Sequence, residues 1–188
     1  MTDRHAAAAA VAVAVADASG VSDQIQREIE RFLHREAHLL GSEGQRQWLS
    51  ELVDTAIRYQ VTSRQLRYRK DRSDSGAKEV YLYDDDYRAL DIRIKQFETG
   101  LQWRVDPPEQ ILYLVTNIEA FPGQTERQYV VYSNCLVFRN RRVYEDDRFA
   151  YRREDALQRD QSGVLRLLKR KVDYGQRFVQ GKNLLFFL

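Results

Sequence analysis

The feature that most constrains this chain is a change of hydrophobic rhythm part-way along it. Up to about residue 100, apolar residues recur mainly at intervals of three and four. From Ile111 onward they form long strand-like runs broken by turn residues. Helices followed by a long sheet make an α+β protein, in which N-terminal helices pack on a strongly curved, mostly antiparallel sheet and bury the apolar faces of both.

Ser22 and Asp23 are suited to cap a helix in which Ile25, Ile29, Phe32, Leu33, Ala37 and Leu40 share a face, until Gly41 stops the pattern. A second helix is expected from about Gln45 to Val53, with Trp48, Leu49 and Leu52 inward. Ile57, Tyr59 and Val61 alternate as a strand does, and a charged loop follows over residues 64–78. Asp84 is expected to cap a third helix carrying Tyr87, Leu90, Ile94 and Phe97 and closed by Gly100. Strand-like runs then occupy Ile111–Ala120, Tyr129–Arg139, Val143–Leu157 and Val164–Tyr174. Turn signals at Pro122-Gly123, Asn140-Arg141 and Gln161-Ser162-Gly163 make these an antiparallel meander. Residues 22–188 read as one domain, preceded by an Ala/Val-rich low-complexity tail over 1–21.

Charge narrows the function. Thirty basic and twenty-eight acidic residues are interleaved, which does not point to a nucleic-acid partner, and the basic stretch Arg64–Arg72 reads as a solvated loop. The apolar stretch Ala6–Ala16 has the outline of a signal peptide, but it lacks Leu and Phe and is flanked by Asp3 beside Arg4. It is also short of the roughly 20 apolar residues that span a bilayer, so no membrane partner is expected. One cysteine, Cys135, allows no internal disulfide, and the cytoplasm is the expected compartment.

Catalytic equipment is sparse. A Rieske cluster takes two Cys and two His, and a non-haem iron site two His and a carboxylate; the chain has one Cys and three His. His34 and His38 share a helical face but lack a third histidine, His5 being in the tail. Asp84-Asp85-Asp86 reads as helix capping, Asp146-Asp147 beside Arg141, Arg142 and Arg148 as surface pairing, and Cys135 as a buried strand residue.

Several ordered segments carry a resemblance. They are Arg35-Glu36-Ala37 with Leu39-Leu40, Ile57-Arg58-Tyr59, Tyr83 to Asp86, and Trp103, Asp106, Pro107, Pro108 with Leu114, Val115 and Asn117. Arg152, Arg153, Asp155 and Leu157, Lys169-Arg170, and Asn183-Leu184 with Phe186-Phe187 complete them. Over about residues 25–187 the chain resembles the small (beta) subunit of the aromatic-ring-hydroxylating dioxygenases. Where that family usually has an Arg-His couple, this chain has Leu112 and Tyr113.

The resemblance implies a cystatin-like cone of the nuclear-transport-factor-2-like superfamily, and a trimer of such subunits docked on three large alpha subunits. The alpha subunits would carry the Rieske 2Fe-2S cluster and the mononuclear iron, receive NAD(P)H electrons through ferredoxin and reductase, and hydroxylate an aromatic ring with O2. This chain would hold no cofactor, no metal and no catalytic residue. The residues expected at subunit interfaces are Tyr83, Asp84, Asp86, Trp103, Arg104, Asp106, Arg152 and Arg153, aromatic and charged groups suited to a partly polar contact. The alternative is a stand-alone isomerase, dehydratase or ligand-binding module, for which Tyr59, Tyr113 and Asp155 are the candidates. The apolar ending Leu184–Leu188 must be covered by the core or by a neighbour.

Overall fold

A computed structural model describes residues 20–63, 80–100, 109–141, 145–174 and 186–188. Helix α1 spans Asp23–Gly41 and α2 spans Gln45–Leu52; strands β1 (Val53–Ser63) and β2 (Val80–Asp85) precede helix α3 (Tyr87–Glu98). Four long strands follow: β3 (Gln110–Pro122), β4 (Gln128–Arg141), β5 (Glu145–Arg159) and β6 (Leu165–Tyr174).

The Ser22 hydroxyl accepts the Ile25 N–H at the start of α1, and Ile29, Phe32, Leu33, Leu39 and Leu40 form its buried stripe. Gly41 ends the helix for a reason the periodicity does not carry. A Cβ there would lie 3.0 Å from the Ile111 carbonyl oxygen, a tight contact that glycine avoids where the helix end lies against β3. The reversal itself falls on Glu43, at φ 60°. In α2, Trp48, Leu49 and Leu52 are buried.

The sheet has six strands in the order β2-β1-β6-β5-β4-β3. The run β3 to β6 is the antiparallel meander expected from the turn signals. β1 is different, pairing parallel to β6 and antiparallel to β2. Inward-facing side chains of β4 to β6 (Val131, Val137, Phe149, Leu157, Leu167, Val172) pack against the helices, giving a strongly curved α+β cone. β3 carries an irregularity between Thr116 and Glu119, where Asn117 takes φ 51°, a left-handed conformation that asparagine tolerates better than most side chains.

One expected boundary is corrected. Tyr83, Asp84 and Asp85 belong to β2, where Tyr83 lies opposite Val61 and Asp84 opposite Gln60; they do not begin the third helix. Asp86 is the cap, its Oδ1 accepting the Ala89 N–H at 2.8 Å. The Val-Tyr-Leu-Tyr run carried the strand signal, and the acidic triplet after it masked where the strand stops. The charged loop expected over 64–78 lies outside the described residues.

Asp86→Ala is expected to cost about 1 kcal/mol, the usual loss for an N-cap, and Asp84→Ala less. Urea unfolding of the two variants checks this; a larger loss at Asp84 would return the cap to that residue.

Candidate functional site

The helices meet the sheet through charge. Glu36, on the buried face of α1, accepts the Trp48 indole N–H on Oε1 at 2.8 Å. Its Oε2 accepts Arg153 Nη1 at 2.9 Å and Arg170 Nη2 at 2.8 Å. Arg170 also grips Asp155 in a two-point fork, Nε to Oδ1 at 2.8 Å and Nη2 to Oδ2 at 2.9 Å. Arg153 Nε stands 3.4 Å from Asp155 Oδ2, an ion-pair separation without hydrogen-bond geometry. All four charged side chains are at most 3 % exposed, so two cations and two anions neutralise one another inside the cone.

The segment Phe186–Leu188 closes the cluster from the other side. Tyr59 OH donates to the Leu188 backbone oxygen at 2.6 Å and accepts its N–H at 2.7 Å, while Arg170 Nη1 reaches the same oxygen at 3.3 Å. Tyr113 OH donates to the Phe187 carbonyl oxygen at 2.7 Å. The Phe187 ring lies 4.9 Å from Trp48, and Phe186 lies 5.0 Å from Phe149.

Burial pushes the Glu36 carboxyl up, but the guanidinium groups of Arg170 and Arg153 outweigh it and hold the pKa down at about 2. Burial raises the Tyr59 hydroxyl to about 12 and puts Tyr113 and Tyr151 well above the ordinary phenol value. The Cys135 thiol, buried beside Ser133, is pushed up as well. Glu36 and the three tyrosines are thereby each moved further from neutrality. The three residues that a stand-alone enzyme would need are engaged: Tyr59 and Tyr113 with backbone of the closing segment, Asp155 with Arg170. Among the described residues, no group of three His, Cys, Asp or Glu side chains is placed to hold a metal.

Among the described residues, those expected at interfaces do not share one surface. Tyr83 is half-buried under the Arg93 guanidinium, 4.3 Å from its ring centroid. Asp84 is exposed and held by Arg58 in two hydrogen bonds, and Asp86 is spent as the α3 cap. Arg152 is exposed on the outer face of β5, opposite Asn134. Arg153 lies inside the cone, so its side chain is no surface contact; Trp103, Arg104 and Asp106 lie outside the described residues. His34 and His38 instead line a groove of about 360 Å³ between α1 and β3, with Ala37, Gly41, Ile111 and Tyr113. Leu112 points outward and is 61 % exposed. Nothing in the sequence marks Glu36 and Arg170 as partners, because they are 134 positions apart.

Glu36→Ala is expected to destabilise the chain by about 3–5 kcal/mol, since two guanidinium groups lose their shared anion inside the core. The Glu36 pKa is depressed on folding, so its contribution is complete above the ordinary value of 4.5 and is lost as pH falls toward about 2. Urea midpoints should therefore fall across that window for the wild type, and Glu36→Gln should remove that part of the slope. Cys135 is expected to react with a disulfide reagent only on unfolding; prompt labelling of the native chain would place the thiol at the surface.

The profile of the family described as the ring hydroxylating beta subunit matches residues 35–181. The small oxygenase component of the naphthalene 1,2-dioxygenase system of Pseudomonas aeruginosa is 31 % identical over 166 residues, 88 % of this chain and 86 % of that one. The small oxygenase component of the 2,4-dinitrotoluene dioxygenase system of Burkholderia sp. (strain RASC) is 33 % identical over 170 residues, 90 % and 88 % of the two chains. Among solved structures, a naphthalene 1,2-dioxygenase with indole bound in the active site superposes with a TM-score of 0.86 at 30 % identity, over 94 % of this chain and 93 % of that one. The segments that carry the sequence resemblance supply Glu36, Tyr59, Arg153, Asp155, Arg170 and Phe187 of the buried cluster, but not Trp48, Tyr113 or Leu188. The chain belongs to the family of beta subunits of the aromatic-ring-hydroxylating dioxygenases, as a small oxygenase component.

Proposed function

We propose that this chain is the structural partner in a hetero-hexamer of three small and three large subunits, and that the large subunit performs O2-dependent ring hydroxylation in the breakdown of aromatic compounds. The observation that carries the reading is the commitment of the interior polar groups: the cluster joins α1, α2, β1, β5, β6 and the closing segment to one another. Such a core ties helices, sheet and closing segment into one rigid body, as a structural subunit requires.

Among the described residues, the Cys and His donors do not fit either iron centre of such a system. Cys135 is buried next to Ser133, and His34 and His38 lie on the exposed face of α1. The Rieske cluster and the mononuclear iron are therefore assigned to the large subunit, with ferredoxin and reductase delivering electrons there. The naphthalene and dinitrotoluene systems of the relatives support an aromatic substrate class. Tyr83, Asp84, Asp86 and Arg152, together with Trp103, Arg104 and Asp106, are proposed as subunit contacts. Arg153 is proposed to act on assembly from within, by fixing the cone. The assembling domain is taken as residues 22–188, and the compartment as the cytoplasm.

Purification of the tagged chain from its native host at low salt, with native mass and iron content read on one sample, tests this. A brown complex of three small and three large chains is the expected outcome. A colourless homo-oligomer without a companion would overturn the reading. Within such a complex, Arg152→Glu is expected to weaken retention of the neighbouring chains while the isolated subunit keeps its melting temperature.

A further inference from the structure

β3 is the last strand of the sheet and pairs with β4 on one side, so its outer edge carries a row of backbone groups that no strand takes among the described residues. One end of that edge is used by the chain itself. The Val21 N–H donates to the Ala120 carbonyl oxygen at 3.2 Å, and Gln26 Nε2 donates to the Ile118 carbonyl oxygen at 2.9 Å. The other end opens into the groove of about 360 Å³, walled by Ala37, Gly41 and Ser42 on the α1 side and by Ile111, Tyr113 and Val115 on the β3 side. Leu112 and Leu114 flank it from the outer face of β3, 61 % and 39 % exposed. An open sheet edge beside an apolar groove is where an extended segment adds as a further strand.

Residues 1–19 lead into Gly20, which sits against β3: a Cβ there would lie 3.5 Å from the Ala120 carbonyl oxygen. The sequence before it reads Ala10-Val11-Ala12-Val13-Ala14-Val15-Ala16, β-branched residues in strict alternation with alanine. In an extended chain that repeat sets the three valines on one face and the alanines on the other; around a helix it scatters them. Length agrees as well. Nine residue steps separate Val11 from Gly20 and nine separate Ile111 from Ala120, about 30 Å in either extended chain. α1 starts beside Ala120 and ends against Ile111, so a strand running along the edge from Ile111 to Ala120 leads directly into the helix that covers it.

We propose that the groove between α1 and β3 is the docking site of this chain's own segment Ala10–Ala16, which adds to the free edge parallel to β3 and sets Val11, Val13 and Val15 against Ala37, Gly41 and Tyr113. The closeness of helix and strand at Gly41, where a Cβ would lie 3.0 Å from the Ile111 carbonyl oxygen, favours valine and alanine over longer side chains. The tether makes so short a contact sufficient, because a segment joined through Asp17–Gly20 to the edge it pairs with competes as though present at millimolar concentration or above. Docked there, the segment covers the Leu112–Leu114 flank and occupies an edge that a strand of another chain would otherwise meet. The docking is independent of subunit assembly, and a tail that stayed off the groove would leave the reading of the chain as a structural subunit intact.

The test follows amide hydrogen exchange in the full chain, in a chain beginning at Gly20, and in the full chain carrying Val13→Asp or Ala12→Asp. In the full chain, alternate amides between Ala10 and Ala16 are expected to exchange at least about tenfold more slowly than in a free peptide of the same sequence. Edge amides between Ile111 and Val115 should be protected with them, and should lose that protection in the shortened chain while β5 stays unchanged. Val13→Asp, which sets an unpaired charge against the groove wall, should act like the deletion, and Ala12→Asp, on the opposite face, should not. Identical exchange at Ile111–Val115 in the full and shortened chains would overturn the proposal, as would equal losses in the two Asp variants. Mild oxidation of a Val13→Cys, Ala37→Cys chain, in which Cys135 stays buried, is expected to give a product cross-linked within one chain. Cross-linked dimers alone would give the groove to a second copy and overturn the proposal too.

Discussion

Arg170 is the group on which the rest of the structure depends. Its guanidinium is fully buried, and it is shared among a carboxylate from α1, a carboxylate from the neighbouring strand β5 and a backbone oxygen of the closing segment. A cation placed there without these partners would face a desolvation penalty of several kcal/mol. The position of α1 over the sheet, the register of β5 against β6 and the seating of Phe186–Leu188 are therefore coupled, because α1 and the closing segment each supply one acceptor oxygen, and β5 two, to the same planar fork. Asp155 stands directly opposite Arg170 in the β5–β6 ladder, so sheet pairing alone brings those two together. Glu36 arrives only when α1 has docked.

That coupling accounts for where the aromatic residues lie. Trp48 uses its indole N–H on Glu36 and offers its ring to Phe187, so one side chain links the charged cluster to the apolar slot. Tyr59 does the same from β1, with its hydroxyl on Leu188 and its ring edge-on to Phe187. Arg139 makes a smaller version beside it, paired with Asp147 and 5.5 Å from the Phe149 ring centroid. Polar atoms in this core are placed where two layers meet, and apolar rings fill the space between them.

Periodicity in the sequence revealed α1, α2, α3 and the four strands of the meander, because each buries one face and the 3.6- and two-residue repeats record that directly. The parallel pairing of β1 with β6 left no local trace, since register across more than a hundred residues is settled by packing of the whole sheet. β2 was obscured by the acidic residues that follow it. The candidate site was legible only as scattered segments: Glu36, Arg153, Asp155 and Arg170 were each visible in the resemblance, but a charged residue in a sequence reads as surface. Arg153 was accordingly expected at an interface, and only the fold turns it inward.

A core of this kind favours one geometry over many. Apolar residues of similar volume could fill the same space at equal or better stability, since a buried ion network is weak evidence for stability in itself. What apolar residues cannot do is penalise a shifted α1 or a displaced closing segment by stranding a buried charge. The Arg170 fork donates to Asp155 in one orientation, and Glu36 must then accept the remaining Nη2 hydrogen bond and that of Arg153 together. For a subunit proposed to present a fixed surface to other chains, a unique arrangement of helices against the sheet matters more than additional stability. The same reasoning explains why side chains rather than backbone hold Phe187 and Leu188: hydroxyls and a guanidinium fixed by the cluster hold that segment in one register, which an unstructured apolar ending could not define by itself.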